Sequence, residues 1–385
     1  VMRVGMDLLR GRAAAWFKGK RVGLLSHQAA VCADGATSAQ ALHAALGEGL
    51  VALFGPEHGF FGQAGPGVKT VTRRHPDWRI PVYSLYGERR KPAPAWLAGL
   101  DVLICDLQDL GVRCYTYLGT LKLVLEACAE AGVEVWVADR PIPLPKVVDG
   151  PVAEPAFFSF VAPCAVPLVY GMTPAETARW LAREIPSLRL KTVPMEGWDT
   201  ASRAWGGDYP SFVPPSPGIK SWETAQLYPA TVFTEALPGI DCGRGTNLLF
   251  RVLGAPWMRA ERFCAAFNEG GAFGLSAHPY RYTAASGAYA GRELDGIRLT
   301  VMDFRRYRPA AASLALLQTL VQEVGAARIW QHKGVRPQWF DKLYGGDATR
   351  LALQAGTPAE TVERRWRVAS ARFLRQRASC LLYDR

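Results

Sequence analysis

The segment GPEHGF, residues 55–60, sets Glu57 and His58 between two glycines directly after the apolar run LVALF. A carboxylate beside an imidazole is a common proton-transfer pairing, and loops at the ends of a rigid scaffold are where such groups usually sit. Three other places repeat the pattern. Ser26, His27 and Gln28 follow RVGLL; Asp106, Gln108 and Asp109 close DVLICDLQD, with Arg113, Tyr115 and Tyr117 just beyond; Asp139 and Arg140 end VEVWVADRP. Together these groups can move protons and hold an anionic substrate. Each also has a structural reading: Glu57 as a turn residue, His27 and His58 as orienting side chains, Asp139 with Arg140 as an internal ion pair. YTY (115–117) reads either as a packed aromatic corner or as a platform for a sugar ring.

The segments that carry these residues alternate between short aliphatic runs and longer stretches of helical period. Strands are expected at 21–26, 50–55, 80–87, 101–109 and 133–141, and at LRLKTVPM. Helices are expected at 37–48, over TLKLVLEACAEAG, and at 173–185, which Thr173 and Pro174 would open. Strands alternating with helices imply an α/β fold with a mostly parallel sheet covered on both faces. In such sheets ligands bind beyond the carboxyl ends of the strands, and that is where all four polar clusters fall.

Beyond about residue 200, GGDYPSFVPPSPGIKSW is rich in Pro, Gly and Ser and reads as an irregular connection. With 385 residues the chain is long for one core, so two domains are expected, 1–205 and a smaller α+β domain with its connection at 206–385, closing a cleft. The second is expected to hold helices over APWMRAERFCAAFNEG, AASLALLQTLVQEVG and PAETVERRWRVASARFLRQ, and a strand over DGIRLTVMDF.

The net charge of +11 is spread along the chain. Its one dense run, 363–377, reads as an amphipathic helix packed through Trp366, Val368, Phe373 and Leu374 with a solvated basic face, so no nucleic-acid partner is expected. Eight dispersed cysteines without CxxC pairs read as free buried thiols, which favours a cytoplasmic setting; removal of a leader would make the protein periplasmic or secreted instead. No run is apolar enough for membrane insertion, and the first residues show no signal-peptide pattern.

The glycines of GFFGQAGPG do not form a dinucleotide fingerprint, and GxxxxGK[ST], HExxH and GxSxG are absent. No metal or nucleotide cofactor is therefore expected. What is left is acid and base chemistry by carboxylates, with arginines for a substrate anion, which fits a glycosidase.

The motifs GPEHGF, PVYSLYG, DLQDLGVRCYTY, ADRPIPL, YGMTPAETA, PPSPGI, GRGT with GAPW, FDKL and the final LLY follow one order along nearly the whole chain. In this the sequence resembles the DUF1343 family of exo-β-N-acetylmuramidases of NamZ type. The resemblance implies a Rossmann-like N-terminal domain, a smaller C-terminal domain and an active site between them. It also implies release of N-acetylmuramic acid from the non-reducing end of peptidoglycan-derived disaccharides or muropeptides.

It marks Glu57 as the leading catalytic acid or base, with a proton kept by desolvation against Phe60 and Phe61 and with His58 beside it. Asp109, Asp139 and Glu235, in that order, are the candidates for its partner carboxylate. Gln108, Arg113, Tyr115, Tyr117, Arg140, Arg244 and Thr246 occupy motif positions that would line the cleft, and His27 joins them as a substrate-binding candidate. Arg113, Arg140 and Arg244 are the candidates for the lactyl carboxylate of the sugar. Ile142, Tyr170 and Gly218 replace the family's usual Asn, His and Asn. Altered sugar specificity, a non-catalytic binding protein and a hydrolase of another anionic amino-sugar glycoside are the alternatives.

Overall fold

The computed structural model describes residues 2–201, 212–270 and 273–384. Seven strands form the main sheet: β1 (Val22–Leu25), β2 (Leu50–Gly55), β3 (Arg73–Arg74), β4 (Pro81–Ser84), β5 (Val102–Cys105), β6 (Glu134–Ala138) and β7 (Leu190–Val193). Their order is β3-β4-β2-β1-β5-β6-β7. All pairings are parallel except that of β3 with β4. The inner strands are apolar throughout because both faces are covered, and one apolar cluster fills each side.

The strands are shorter than their apolar runs. Residues 106–109 and 139–141 have left the ladder, because their side chains bond to loops rather than pack on a sheet face. The chain runs outward from β1 to β4 on one side and resumes at β5 on the other, so the switch point lies between β1 and β5.

The remaining strands, β8 (Val252–Leu253), β9 (Leu275–Thr283) and β10 (Glu293–Val301), form a second, antiparallel sheet in the order β8-β10-β9. The DGIRLTVMDF strand thus begins two residues early, at Glu293, and ends at Val301. β9 was hidden by its mixed polarity, with Pro279 at its centre. Helices Ala260–Glu269, Pro309–Val324 and Ala359–Arg377 lie where the periodicity predicts. Helices Trp222–Thr231, Pro337–Tyr344 and Ala348–Gln354 were not foreseen. Of the expected irregular connection, 202–211 lies outside the described residues and 212–221 is irregular.

The basic helix Ala359–Arg377 buries Val362, Trp366, Ser370, Phe373 and Arg377, a single helical stripe. Val368 and Leu374 fall off that stripe and are 74% and 43% exposed, contrary to the packing read from sequence.

The end of the chain returns to the first sheet. Arg377 donates to the carbonyls of Tyr170 and Gly171, Leu382 donates its N–H to Glu176, and the Tyr383 hydroxyl donates to Asp139 at 2.6 Å. Among the described residues no helix is long and apolar enough to cross a membrane.

Candidate active site

The turn after β2 is unusual backbone. Gly55 has no room for a side chain, since a Cβ there would meet the Phe60 nitrogen at 2.4 Å. His58 has φ of 69°, a left-handed conformation that costs a non-glycine residue on the order of 1 kcal/mol. The fold sustains it because the His58 Nδ1–H donates to the Ala64 carbonyl at 2.9 Å, which fixes the ring's orientation. The turn presents Glu57, only 8% exposed, with its Oε1 accepting the Gly67 N–H at 2.8 Å. Phe60 and Phe61 line a smaller neighbouring cavity of about 290 Å³, so the aromatic wall expected against Glu57 faces elsewhere.

Glu57 and His58 open into a cavity of about 730 Å³. The first sheet's loops also give it Tyr86, Arg90, Tyr115 and Phe160. The second half of the chain gives it Glu235, Asp241, Arg244, Arg336, Trp339 and Lys342. Glu235 ends a short 3₁₀ turn, Val232–Glu235, that follows helix Trp222–Thr231. Its Oε1 accepts from Arg244 Nη2 at 3.1 Å, and Arg336 donates to its backbone carbonyl. Burial pushes the Glu235 carboxyl above its usual range; Arg244 opposes this and the nearby Glu57 charge reinforces it.

The switch point between β1 and β5, where a Rossmann-type sheet usually holds its ligand, is filled by the protein itself. His27 Nε2 accepts the Gln108 N–H at 2.9 Å, and its Nδ1 lies 3.1 Å from the Tyr117 hydroxyl, which donates to the Pro215 carbonyl at 3.0 Å. Gln28 Nε2 donates to the carbonyls of Pro214 and Pro215. The PPSPG segment thus seals the crevice. Burial, and after it the Arg140 charge, lower His27 to about 3, so it is neutral. His27, Gln108 and Tyr117 are consequently framework here, and the open cavity is displaced toward β2 and β4.

Several further candidates also face inward. Arg140 and Asp106, both fully buried, form an ion pair; Arg140 also donates to Val31 O, and Ser38 donates to Asp106. Arg113 donates to the carbonyls of Pro151, Val166 and Leu343, tying the two halves of the chain, and burial lowers it to about 10. Neither arginine reaches the cavity, which corrects their assignment to the substrate carboxylate. Arg244 does line it.

Asp139 accepts the Thr173 hydroxyl at 2.7 Å, the Ala175 N–H at 2.9 Å and the Tyr383 hydroxyl; burial raises it to about 7, against those donors. Asp109 accepts the Tyr170 hydroxyl at 2.8 Å and is raised by burial to about 6. Both lie outside the cavity lining, so the preference for them as partner carboxylate is reversed in favour of Glu235. Thr246 shapes its own turn, donating to Gly243 O and accepting the Leu248 N–H.

Of the substituted positions, Tyr170 holds Asp109 and Ile142 is buried. Gly218 lines the cavity, and a Cβ there would find ordinary contacts at 3.5 Å and beyond.

Comparison with known proteins places this arrangement. The model of the N-terminal domain of exo-beta-N-acetylmuramidase NamZ matches residues 22–223, and that of its C-terminal domain matches 226–383. The chain belongs to the NamZ family. The peptidoglycan beta-N-acetylmuramidase NamZ of Bacillus subtilis (strain 168) is 31% identical over 384 residues, covering 99% of this chain and 91% of the relative. Two crystal structures of DUF1343 family proteins from Bacteroides fragilis NCTC 9343 share the fold. One has a TM-score of 0.92 at 28% identity, the other 0.78 at 25%; each covers 100% of this chain and 99% of its own.

Within this NamZ fold, sequence reasoning missed Tyr86, Arg90, Asp241, Arg336, Trp339 and Lys342 as cavity residues. Tyr86 lies inside the PVYSLYG motif and Lys342 inside FDKL, so the family motifs carried a signal for both. Arg336 and Trp339 open a helix that no periodicity announced. Asp241 accepts from the Gly243 N–H and the Tyr282 hydroxyl at the cavity wall.

Proposed function

We propose that this chain is an exo-acting β-N-acetylmuramidase, releasing N-acetylmuramic acid from the non-reducing end of peptidoglycan fragments, with Glu57 and Glu235 as its carboxylate pair. Membership of the NamZ family supports the reaction. The observation that carries the site is that these two glutamates, from opposite halves of the chain, line one cavity.

Glycoside cleavage needs one group to protonate the leaving oxygen and another to face the oxocarbenium-like centre. Two carboxyls whose environments differ divide these tasks. Glu235, pushed up by burial and by Glu57, is suited to keep a proton and deliver it to the leaving oxygen. Glu57, held toward the cavity by the Gly67 N–H, is suited to the other role, at the anomeric carbon or in activating water. Of the acid and base roles that the sequence leaves open for Glu57, this reading takes the second.

Arg90, Arg244, Arg336 and Lys342 supply positive charge to the cavity for the sugar's lactyl carboxylate. The test is to incubate the protein with a disaccharide carrying N-acetylmuramic acid at its non-reducing end and look for the free sugar by mass. Its release, with none from a disaccharide ending in N-acetylglucosamine, supports the reading. Binding of the fragment without release contradicts it and leaves a sugar-binding protein.

A further inference from the structure

Two aromatic rings, each fixed by its own backbone, meet at one end of the cavity. Phe160 sits on helix Tyr117–Ala131 at Gly119, where a Cβ would meet the Phe160 carbonyl oxygen at 2.4 Å and its ring at 3.0 Å. Glycine inside a helix is unfavourable relative to alanine, and here it makes room for the Phe160 loop. Tyr86 is held from the other side. Its carbonyl accepts the Thr70 N–H at 2.8 Å, and its own N–H donates to Ser84 Oγ at 3.2 Å. The strap that carries Thr70 also carries Gly67, which donates to Glu57 Oε1, so the Tyr86 loop and the Glu57 turn are tied to one segment.

Arg90 lies over both rings. Its Cζ is 5.2 Å from the Tyr86 centroid and 4.3 Å from that of Phe160, and the rings are 5.9 Å apart and inclined at 43°. Ring faces attract a guanidinium by its charge and restrain its long side chain, while the planar fork of N–H groups still suits a carboxylate. The other two arginines of the cavity are committed to Glu235. Arg244 donates to its carboxylate at 3.1 Å and Arg336 to its backbone carbonyl. Arg90, by contrast, forms an ion pair with no carboxylate among the described residues. Lys342 offers a point charge rather than a fork.

We propose that Arg90, clamped by Tyr86 and Phe160, is the residue that selects N-acetylmuramic acid over N-acetylglucosamine, by taking the lactyl carboxylate in a bidentate pair of hydrogen bonds. The inference rests on the muramidase reading of the cavity. The two sugars differ only in the lactyl ether, so discrimination between them falls to whatever meets its carboxylate. The lactyl group and the anomeric carbon belong to one sugar ring. Arg90 and Glu57 are correspondingly presented by loops of the same sheet and joined through one strap.

The test compares wild type, Arg90→Met and Arg90→Lys in two ways. Calorimetric titration with N-acetylmuramic acid and with N-acetylglucosamine reads selection without turnover. Arg90→Met is expected to weaken binding of the first by about 10–100-fold, the range for losing a hydrogen-bonded charge pair, and to leave the second unchanged. Arg90→Lys, which keeps the charge and loses the fork, is expected to fall between. With chromogenic substrates, kcat/KM for the muramide should drop by a similar factor, mainly through KM, while that for the glucosaminide holds. Equal losses for both sugars, or no loss for either, overturn the inference. Arg90 is exposed, and its replacement is expected to fold. Should it not, Phe160→Leu, which removes one ring of the clamp, is expected to weaken N-acetylmuramic acid binding by a smaller factor; no change overturns the inference. A wild type whose binding depends on Arg90 but which cleaves no muramide defeats the muramidase reading and leaves the carboxylate anchor standing. Cleavage of the muramide with selectivity unaltered in Arg90→Met overturns the anchor alone.

Discussion

Arg244 Nη2 lies 3.1 Å from Glu235 Oε1 on the wall of the cavity, with 40% of the arginine side chain and 26% of the glutamate side chain accessible. This contact pulls the Glu235 carboxyl down while burial and Glu57 push it up. A group that must keep its proton until the leaving oxygen takes it is tuned by such opposition.

Replacing Arg244 with Met removes the downward pull. The basic limb of the kcat/KM profile, which reports the protonated acid, is then expected to move to higher pH, and KM for a carboxylate-bearing muramide to rise. An unshifted basic limb would mean that Glu235 is not the proton donor.

The Arg140–Asp106 pair has no accessible surface on either side chain. Arg140→Met leaves Asp106 as a buried, uncompensated charge and is expected to cost about 3–5 kcal/mol of folding stability. Denaturant titration measures this. If stability is unchanged and KM rises, Arg140 belongs to the substrate and its assignment to the framework fails.

His27 gives a signed pH effect. Burial holds its folded-state value at about 3, below the ordinary 6.5, so the folded protein binds fewer protons than the unfolded chain between those values. Its contribution is full above pH 6.5 and is lost as pH falls toward 3, by up to about 1.4 kcal/mol per unit. Relative to His27→Gln, wild type should therefore show its largest advantage near pH 7 and a shrinking one at pH 5. An advantage independent of pH would show that His27 is not the neutral buried group described.

Arg113 is buried with carbonyl partners alone and bridges to Leu343. Arg113→Met leaves three carbonyls without that donor, and a loss of several kcal/mol is expected. Unfolding that stays a single transition, displaced to lower denaturant, fits a tie between two halves that melt together. Unaltered stability contradicts it.

The alternation of aliphatic runs and helical periods made the main sheet legible, because a strand buried on both faces must be apolar along its length. β9 was illegible for the converse reason: it is an edge strand with polar side chains and a proline. The rim of polar groups was also visible, yet sequence could not separate side chains that face the cavity from those that face inward. Asp139, Arg140, Asp109 and His27 have the residue types of catalysis and the partners of a framework, and only the position of Thr173, Tyr383, Asp106, Tyr170 or Pro215 reveals that. Glu235 sat in a stretch of uncertain register against the family motif, so its place opposite Glu57 emerged from three dimensions. Tyr86 lies in the PVYSLYG motif, but only the three-dimensional structure shows that it lines the cavity with Glu57.

The central claim is that Glu57 and Glu235 act as a pair. The most direct measurement is kcat/KM for a chromogenic N-acetylmuramide with wild type, Glu57→Gln and Glu235→Gln, each confirmed folded by circular dichroism. Each substitution is expected to lower kcat/KM by about 10²–10⁴-fold, the range for losing a positioned acid or base. Near-wild-type turnover by either variant would contradict the pair.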